Sequence, residues 1–143
     1  SAEHLKKLTR LKGIEISCSN ATANLFKHIE DIPLEYAAFN YGVNSPAAQV
    51  VENIKSVPTL RRLSIQAELF TDAELRILTE VTQVEQLSLS SLPLTDEHIG
   101  ILSNFDHLKE LELIERRKEH LYSDDTKAKV NAALPNLAVK FVP

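Results

Sequence analysis

One cysteine, Cys18, stands in the whole chain, so no disulfide can form within it. A fold without that staple must be held by burial, and a lone thiol favours a reducing compartment. Glycine is scarce as well, with three in 143 residues. That excludes a glycine-rich phosphate cradle and leaves no flexible interdomain linker to be read. No apolar run approaches the roughly 18 residues of a membrane-spanning helix. The first residues show no signal-peptide pattern, so a cytoplasmic setting without membrane insertion is the expectation. A dominant charge is missing too: 16 Lys and Arg against 20 Asp and Glu leave −4, with the cations scattered. Nucleic acid is therefore not an expected partner. The one short basic cluster, Arg116-Arg117-Lys118, sits among Glu112, Glu115 and Glu119 and reads as a solvated loop.

Chemistry-bearing constellations are also absent. His4, His28, His98, His107 and His120 show no His-x-x-x-His spacing, and no cysteine pair exists to complete a metal site. Ser88, Ser90 and Ser91 have no flanking glycines of a nucleophile elbow. Asp124-Asp125 follows Ser123 and reads as the acidic first turn of a helix. No catalytic residue, cofactor or metal is expected, and a hydrolase or metal enzyme is a remote alternative.

What is present is one pattern written twice. Phe70-Thr-Asp-Ala-Glu-Leu75 through Val84-Glu-Gln-Leu87-Ser-Leu89 lies over Leu94-Thr-Asp-Glu-His-Ile99 through Leu108-Lys-Glu-Leu111-Glu-Leu113, each apolar position moving by 24. A fixed step in the range of roughly 20–29 residues is a solenoid signature. Leu87-Ser-Leu89 and Leu111-Glu-Leu113 alternate as strands do. Leu75, Leu78 and Val81, like Ile99, Leu102 and Phe105, follow helical spacing. Thr71-Asp-Ala-Glu74 is a capping box, Thr95 caps in the same way, and Ser123 opens a last helix running towards Leu134. Ser45-Pro46 reads as N-cap and N1 of another.

The strand grammar recurs as Leu8-x-x-Leu11-x-x-Ile14-x-Ile16, Phe26-x-x-Ile29-x-x-Ile32-x-Leu34 and Val57-x-x-Leu60-x-x-Leu63-x-Ile65. A shortened form ends the chain in Leu134-Pro-Asn-Leu137-Ala-Val139-Lys-Phe141. Six strands are predicted. The repeats they define are uneven, 18 residues from Ile16 to Leu34 and 31 from Leu34 to Ile65. The first interval has room only for a clipped helix over 20–28. The second carries an aromatic loop with Tyr36, Phe39 and Tyr41 over 36–44, and another insertion spans 114–122.

These residues resemble the leucine-rich repeat family over nearly the whole chain, most closely across 57–113. The Leu-Thr-Asp helix entry and terminal Ala-Leu-Pro-Asn-Leu are similar to ribonuclease-inhibitor-like and related bacterial arrays. The chain departs from them at Glu68 and Leu92, where such families usually place Asn, Cys or Thr. The resemblance implies one α/β domain over 1–143. About six parallel strands form its inner face and short helices its outer face, with irregular N-terminal repeats and a C-terminal cap over 123–143.

Parallel strands buried on both faces read as continuous apolar runs, whereas these alternate, so one face is left uncovered. Glu15, Ser64, Ser88, Glu112 and Lys140 stand between the apolar positions. Arg62, Gln86 and Glu110 precede them, and Ser17, Glu35, Gln66 and Ser90 follow. The resemblance implies that this face binds protein, with Arg62, Ser64, Gln86, Ser88, Glu110 and Glu112 as the partner-binding set. The aromatic loop at Tyr36, Phe39 and Tyr41 is the competing anchor. A scaffold or spacer within a larger protein or complex is the alternative function.

The step of 24 places Leu87 and Leu111 at equivalent buried positions. Truncating either to Ala should cost about 2–5 kcal/mol in denaturant unfolding. A structure with the two side chains on opposite faces of a sheet would remove the basis of the repeat.

Overall fold

A computed structural model describes residues 7–18, 31–41, 47–116 and 122–143. The expected clipped helix over 20–28 and the N-cap and N1 residues Ser45-Pro46, like most of the 114–122 insertion, fall outside those residues, whereas the helix expected to follow Pro46 is described. Six strands follow one another: β1 (Gly13–Cys18), β2 (Tyr36–Tyr41), β3 (Arg62–Gln66), β4 (Gln86–Ser90), β5 (Glu110–Ile114) and β6 (Ala138–Val142). They form one sheet in chain order, and every pairing is parallel. Among the described residues four helices join them: α1 (Ala47–Ile54), α2 (Asp72–Thr79), α3 (Asp96–Leu102) and α4 (Asp124–Ala133).

Register carries the repeat into three dimensions. Ala37, Leu63, Leu87, Leu111 and Val139 stand side by side on successive strands, as do Phe39, Ile65, Leu89, Leu113 and Phe141. Both rows join the core, where α1 contributes Val50, Val51 and Ile54, α2 Leu75 and Leu78, and α3 Ile99 and Leu102. Leu87 and Leu111 are direct neighbours, 2% and 0% exposed. The helices thus cover one side of the sheet, and the alternate residues of each strand are turned away from them.

The helix starts follow the sequence. Glu74 Oε2 accepts from the Thr71 N–H at 2.8 Å, and the Thr71 hydroxyl accepts in turn from the Ala73 N–H at 3.3 Å, closing the capping box on α2. Thr95 accepts from the His98 N–H at 3.1 Å, and Ser123 from the Thr126 N–H at 3.1 Å. Each such cap contributes about 1 kcal/mol by satisfying an end N–H.

The second strand is not where the apolar pattern predicts it. Ile32-x-Leu34 precedes the strand, and the expected aromatic loop is itself β2, with Phe39 1% exposed in the core. Pro33 explains the failure of the first assignment, since it has no N–H to donate to a sheet. Leu34 corresponds instead to Leu60, entering the core before its strand. With β2 reassigned, Ile16, Phe39 and Ile65 are separated by 23 and 26 residues, so the N-terminal repeats are more regular than expected. Glu35 also leaves the sheet face: it lies on the turn before β2, where its carboxylate accepts from Lys12 Nζ at 2.7 Å. Leu92, at the position where the resembled families carry a polar side chain, is fully buried. The Tyr122 hydroxyl donates to its carbonyl at 2.9 Å, so a residue from after β5 does the polar work. Burial pushes that phenol above its ordinary range, and the Glu115 carboxylate pushes the same way.

A second polar ladder runs through the turns before the strands. Thr59 Oγ1 donates to the Leu34 carbonyl at 2.7 Å, and Gln83 Nε2 donates to Ile54 and Val57 at 3.2 Å each, so both side chains reach the preceding repeat. Twenty-four residues after Gln83 stands His107, whose Nε2 is buried without a partner. A planar ring is held on Phe105, centroids 5.7 Å apart, where a glutamine would extend to the carbonyls of Leu78 and Val81. His107→Gln should therefore stabilise the fold by about 1 kcal/mol, seen as a higher denaturation midpoint at unchanged slope. A lower midpoint would show that the His107 ring packing outweighs the missing bond.

Candidate functional site

The uncovered side of the sheet is a grid of aligned rows. Gly13, Tyr36, Arg62, Gln86, Glu110 and Ala138 form the first, and Glu15, Ala38, Ser64, Ser88, Glu112 and Lys140 the second. All six residues of the expected partner-binding set occur in these rows on β3, β4 and β5. Together with Tyr36 they line one open groove of about 330 Å³. The two expected sites therefore merge in part. Tyr36 belongs to the face, Phe39 points into the core, and Tyr41 closes β2.

Tyr36 has two neighbours that fix it. Its ring covers Gly13, where an added Cβ would stand 3.3 Å from Tyr36 Cδ1. On its other side the Arg62 guanidinium lies 5.5 Å from the ring centroid, within cation–π range. Arg62 makes no ion pair among the described residues, so the ring supports the cation without neutralising it. At the opposite end of the groove two carboxylates stand on β5. Lys140 Nζ closes on Glu110 at 3.0 Å, and the Ser88 hydroxyl donates to Glu112 at 2.9 Å. Between the ends lie the hydroxyls of Ser64 and Ser88 and the Gln86 amide, which are polar and uncharged.

One rim of the groove is built from the residues just before each strand. Lys12, Glu35, Arg61, Glu85 and Lys109 alternate in sign from repeat to repeat. Each of the first four has a carbonyl that accepts two N–H groups of the next repeat: Lys12 from Glu35 and Tyr36, Glu35 from Arg61 and Arg62, Arg61 from Glu85 and Gln86, Glu85 from Lys109 and Glu110. A Lys12 hydrogen bond and its charge hold the exposed Glu35 carboxyl below its ordinary range, and Lys109 does the same at Glu85. Pairs this exposed add little stability and weaken with salt. Sequence reasoning passed over this rim, although the alternation at Arg61, Glu85 and Lys109 is visible at the 24-residue step. It equally missed Ile114, which lines the groove at the end of β5.

Across the sheet, Arg116 Nη1 donates to Asn40 Oδ1 at 3.3 Å, joining the end of β5 to the end of β2. Ser90, next to Ile114 in register, is 1% exposed. Elsewhere, His98 is buried on the helix side with its Nδ1 2.5 Å from the Pro93 carbonyl and its Nε2 3.0 Å from Asp72, so it ties α3 to the start of α2. Among the described residues no group of three His, Cys, Asp or Glu could hold a metal ion, and no helix is long and apolar enough to cross a membrane.

No protein-family model matches the chain, and no curated protein matches it in sequence. Among solved structures, the tropomodulin C-terminal domain of Caenorhabditis elegans is similar with a TM-score of 0.64 and 15% identity, covering 94% of this chain and 89% of that one. The shared feature is the array of parallel strands backed by helices. The fold is a leucine-rich-repeat solenoid. At that identity the likeness concerns architecture, so the groove residues are interpreted from their own chemistry.

Tyr36 and Phe39, adjacent aromatics on opposite sides of β2, should respond differently to truncation. Phe39→Ala should lower stability by about 3–5 kcal/mol, as expected for an aromatic lost from a packed core. Tyr36→Ala should cost much less, because its ring is partly solvated. Equal losses in urea unfolding would contradict the assignment of Tyr36 to the open face.

Proposed function

We propose that the chain is a non-catalytic protein-interaction module whose partner lies across the open sheet face. The observation that carries this reading is the groove over β3, β4 and β5. There Arg62, Ser64, Gln86, Ser88, Glu110 and Glu112 converge beside Tyr36 on adjoining, backbone-paired strands. Repeat arrays build extended recognition surfaces of this kind because each unit adds a few aligned side chains. A rigid sheet also holds those side chains in place before binding, which reduces the ordering cost of association. Tyr and Arg, the two residue types packed together at one end, are common at the centres of protein interfaces.

A catalytic reading has less support. Ser88 is bonded to Glu112, a carboxylate, and the described histidines are on the helix side or packed on Phe105. No histidine therefore faces a serine hydroxyl among the described residues of the groove, and Ser88 lacks the imidazole that ordinarily activates such a nucleophile.

Exposed charges contribute only about 0–1 kcal/mol each to folding, so reversing them separates binding from stability. The combined change Arg62→Glu, Glu110→Lys, Glu112→Lys should leave the thermal midpoint nearly unchanged. It should also abolish affinity capture of the partner from the native source, chiefly by lowering the association rate. Capture that survives this variant would favour the scaffold reading. In that case the contacts would run through the helices or through β1 and β6, each of which pairs on one side only among the described residues.

A further inference from the structure

Charge bookkeeping within the groove narrows the chemistry of what can occupy it. Four charged side chains stand in the two rows from β3 to β6: Arg62, Glu110, Glu112 and Lys140. Lys140 neutralises one carboxylate by closing on Glu110 at 3.0 Å. What remains is one cation and one carboxylate charge, Arg62 and Glu112, neither with an ion-pair partner among the described residues. Both are held in position. Arg62 lies against the Tyr36 ring, and Glu112 accepts from the Ser88 hydroxyl.

Their separation follows from sheet geometry. Arg62 and Glu112 are two strands apart and offset by two residues along the strand. With strand spacings of about 4.8 Å and a rise of about 3.3 Å per residue, their backbones are roughly 12 Å apart. Three to four residues of extended chain cover the same distance. The ground between is the hydroxyls of Ser64 and Ser88 and the Gln86 amide, able to bond a peptide backbone, with the Glu110 carboxylate already closed on Lys140.

We propose that the groove recognises an extended peptide segment that crosses β3 to β5 with an acidic side chain on Arg62 and, three or four residues away, a basic side chain on Glu112. The inference rests on the proposed interaction face and adds the chemistry and direction of its partner. A polyanion or a polycation fits less well, since each would set like charges against Glu112 or Arg62. The pairing also fixes register, because exchanging acid and base along the segment converts both contacts to repulsion.

A displayed library of random 12-residue peptides, selected on the intact chain, tests this directly. The expected consensus has one acidic and one basic residue three or four positions apart. Arg62→Glu and Glu112→Arg should each weaken the selected peptides about ten-fold or more. The double variant should recover binding to the same peptide with its acid and base exchanged. That reciprocal rescue is a result that simple loss of folding does not produce. Peptides that need the groove, being lost when Ser88→Trp fills it, but carry no such pair or show no rescue would overturn this inference and leave the interaction face standing. A selection yielding no groove-dependent peptide would count against both.

Discussion

Everything in this molecule depends on the parallel backbone ladder between successive repeats. One strand and one helix of seven to ten residues cannot enclose an apolar face, so each unit is stable only when the next lays its strand alongside. The rows Leu63-Leu87-Leu111 and Ile65-Leu89-Leu113 are the outcome, with equivalent side chains stacked at the strand spacing and sealed by the helices. Because strand side chains alternate, burial of those rows necessarily delivers the intervening residues to the other side. The groove is thus a geometric by-product of the core. Its residues can change without disturbing what holds the chain together.

Apolar stacking alone does not keep neighbouring repeats in register, because a row of leucines tolerates sliding. Polar groups at the turns supply that restraint. Thr59 and Gln83 each satisfy carbonyls of the repeat before, and the paired N–H groups of Glu35 and Tyr36, or of Arg61 and Arg62, close on one carbonyl of the repeat before. A slip of one residue would strand those groups away from water, at a cost of about 1–3 kcal/mol each. Charge alternation along the same rim adds a small preference for this register, since a slip of one residue would take Lys12 from Glu35 and Lys109 from Glu85. The exception is His107, where the ladder position is occupied and the ring Nε2 remains unbonded.

The sequence is most readable where the side chains are large. At Leu87 and Leu111 the alternation of bulky apolar and polar residues leaves one solution, and the caps at Thr71, Thr95 and Ser123 mark their helices because capping is a local interaction. It is least readable at β2, where Ala37 and Ala38 occupy core and face positions and neither is large enough to reveal an alternation. Ile32 and Leu34 imitate a strand because the turn before β2 also dips into the core. The available counter-signal was chemical, in Pro33. The same displacement hid part of the groove. Tyr36 could be recognised as an unusual aromatic, but its place beside Arg62 depends on a register between β2 and β3 that no local pattern records. Arg62, Ser64, Gln86, Ser88, Glu110 and Glu112 were legible together because they lie in the repeats of constant length.

Merging Tyr36 with the charged rows changes what kind of surface this is. An aromatic loop would have offered a mobile apolar anchor, indifferent to the direction of its ligand. On β2, Tyr36 is pinned between Gly13 and Arg62, and its main effect is on the cation it supports. A guanidinium resting on a ring keeps its donors aimed outward and loses little freedom when a carboxylate arrives. At the far end Ser88 holds Glu112 in a comparable way. Both charges are therefore ordered before any partner is present, by neutral neighbours, and neither is in an ion pair among the described residues. A surface prepared like this gains selectivity more than raw affinity, because a mismatched ligand has to desolvate both charges without pairing either.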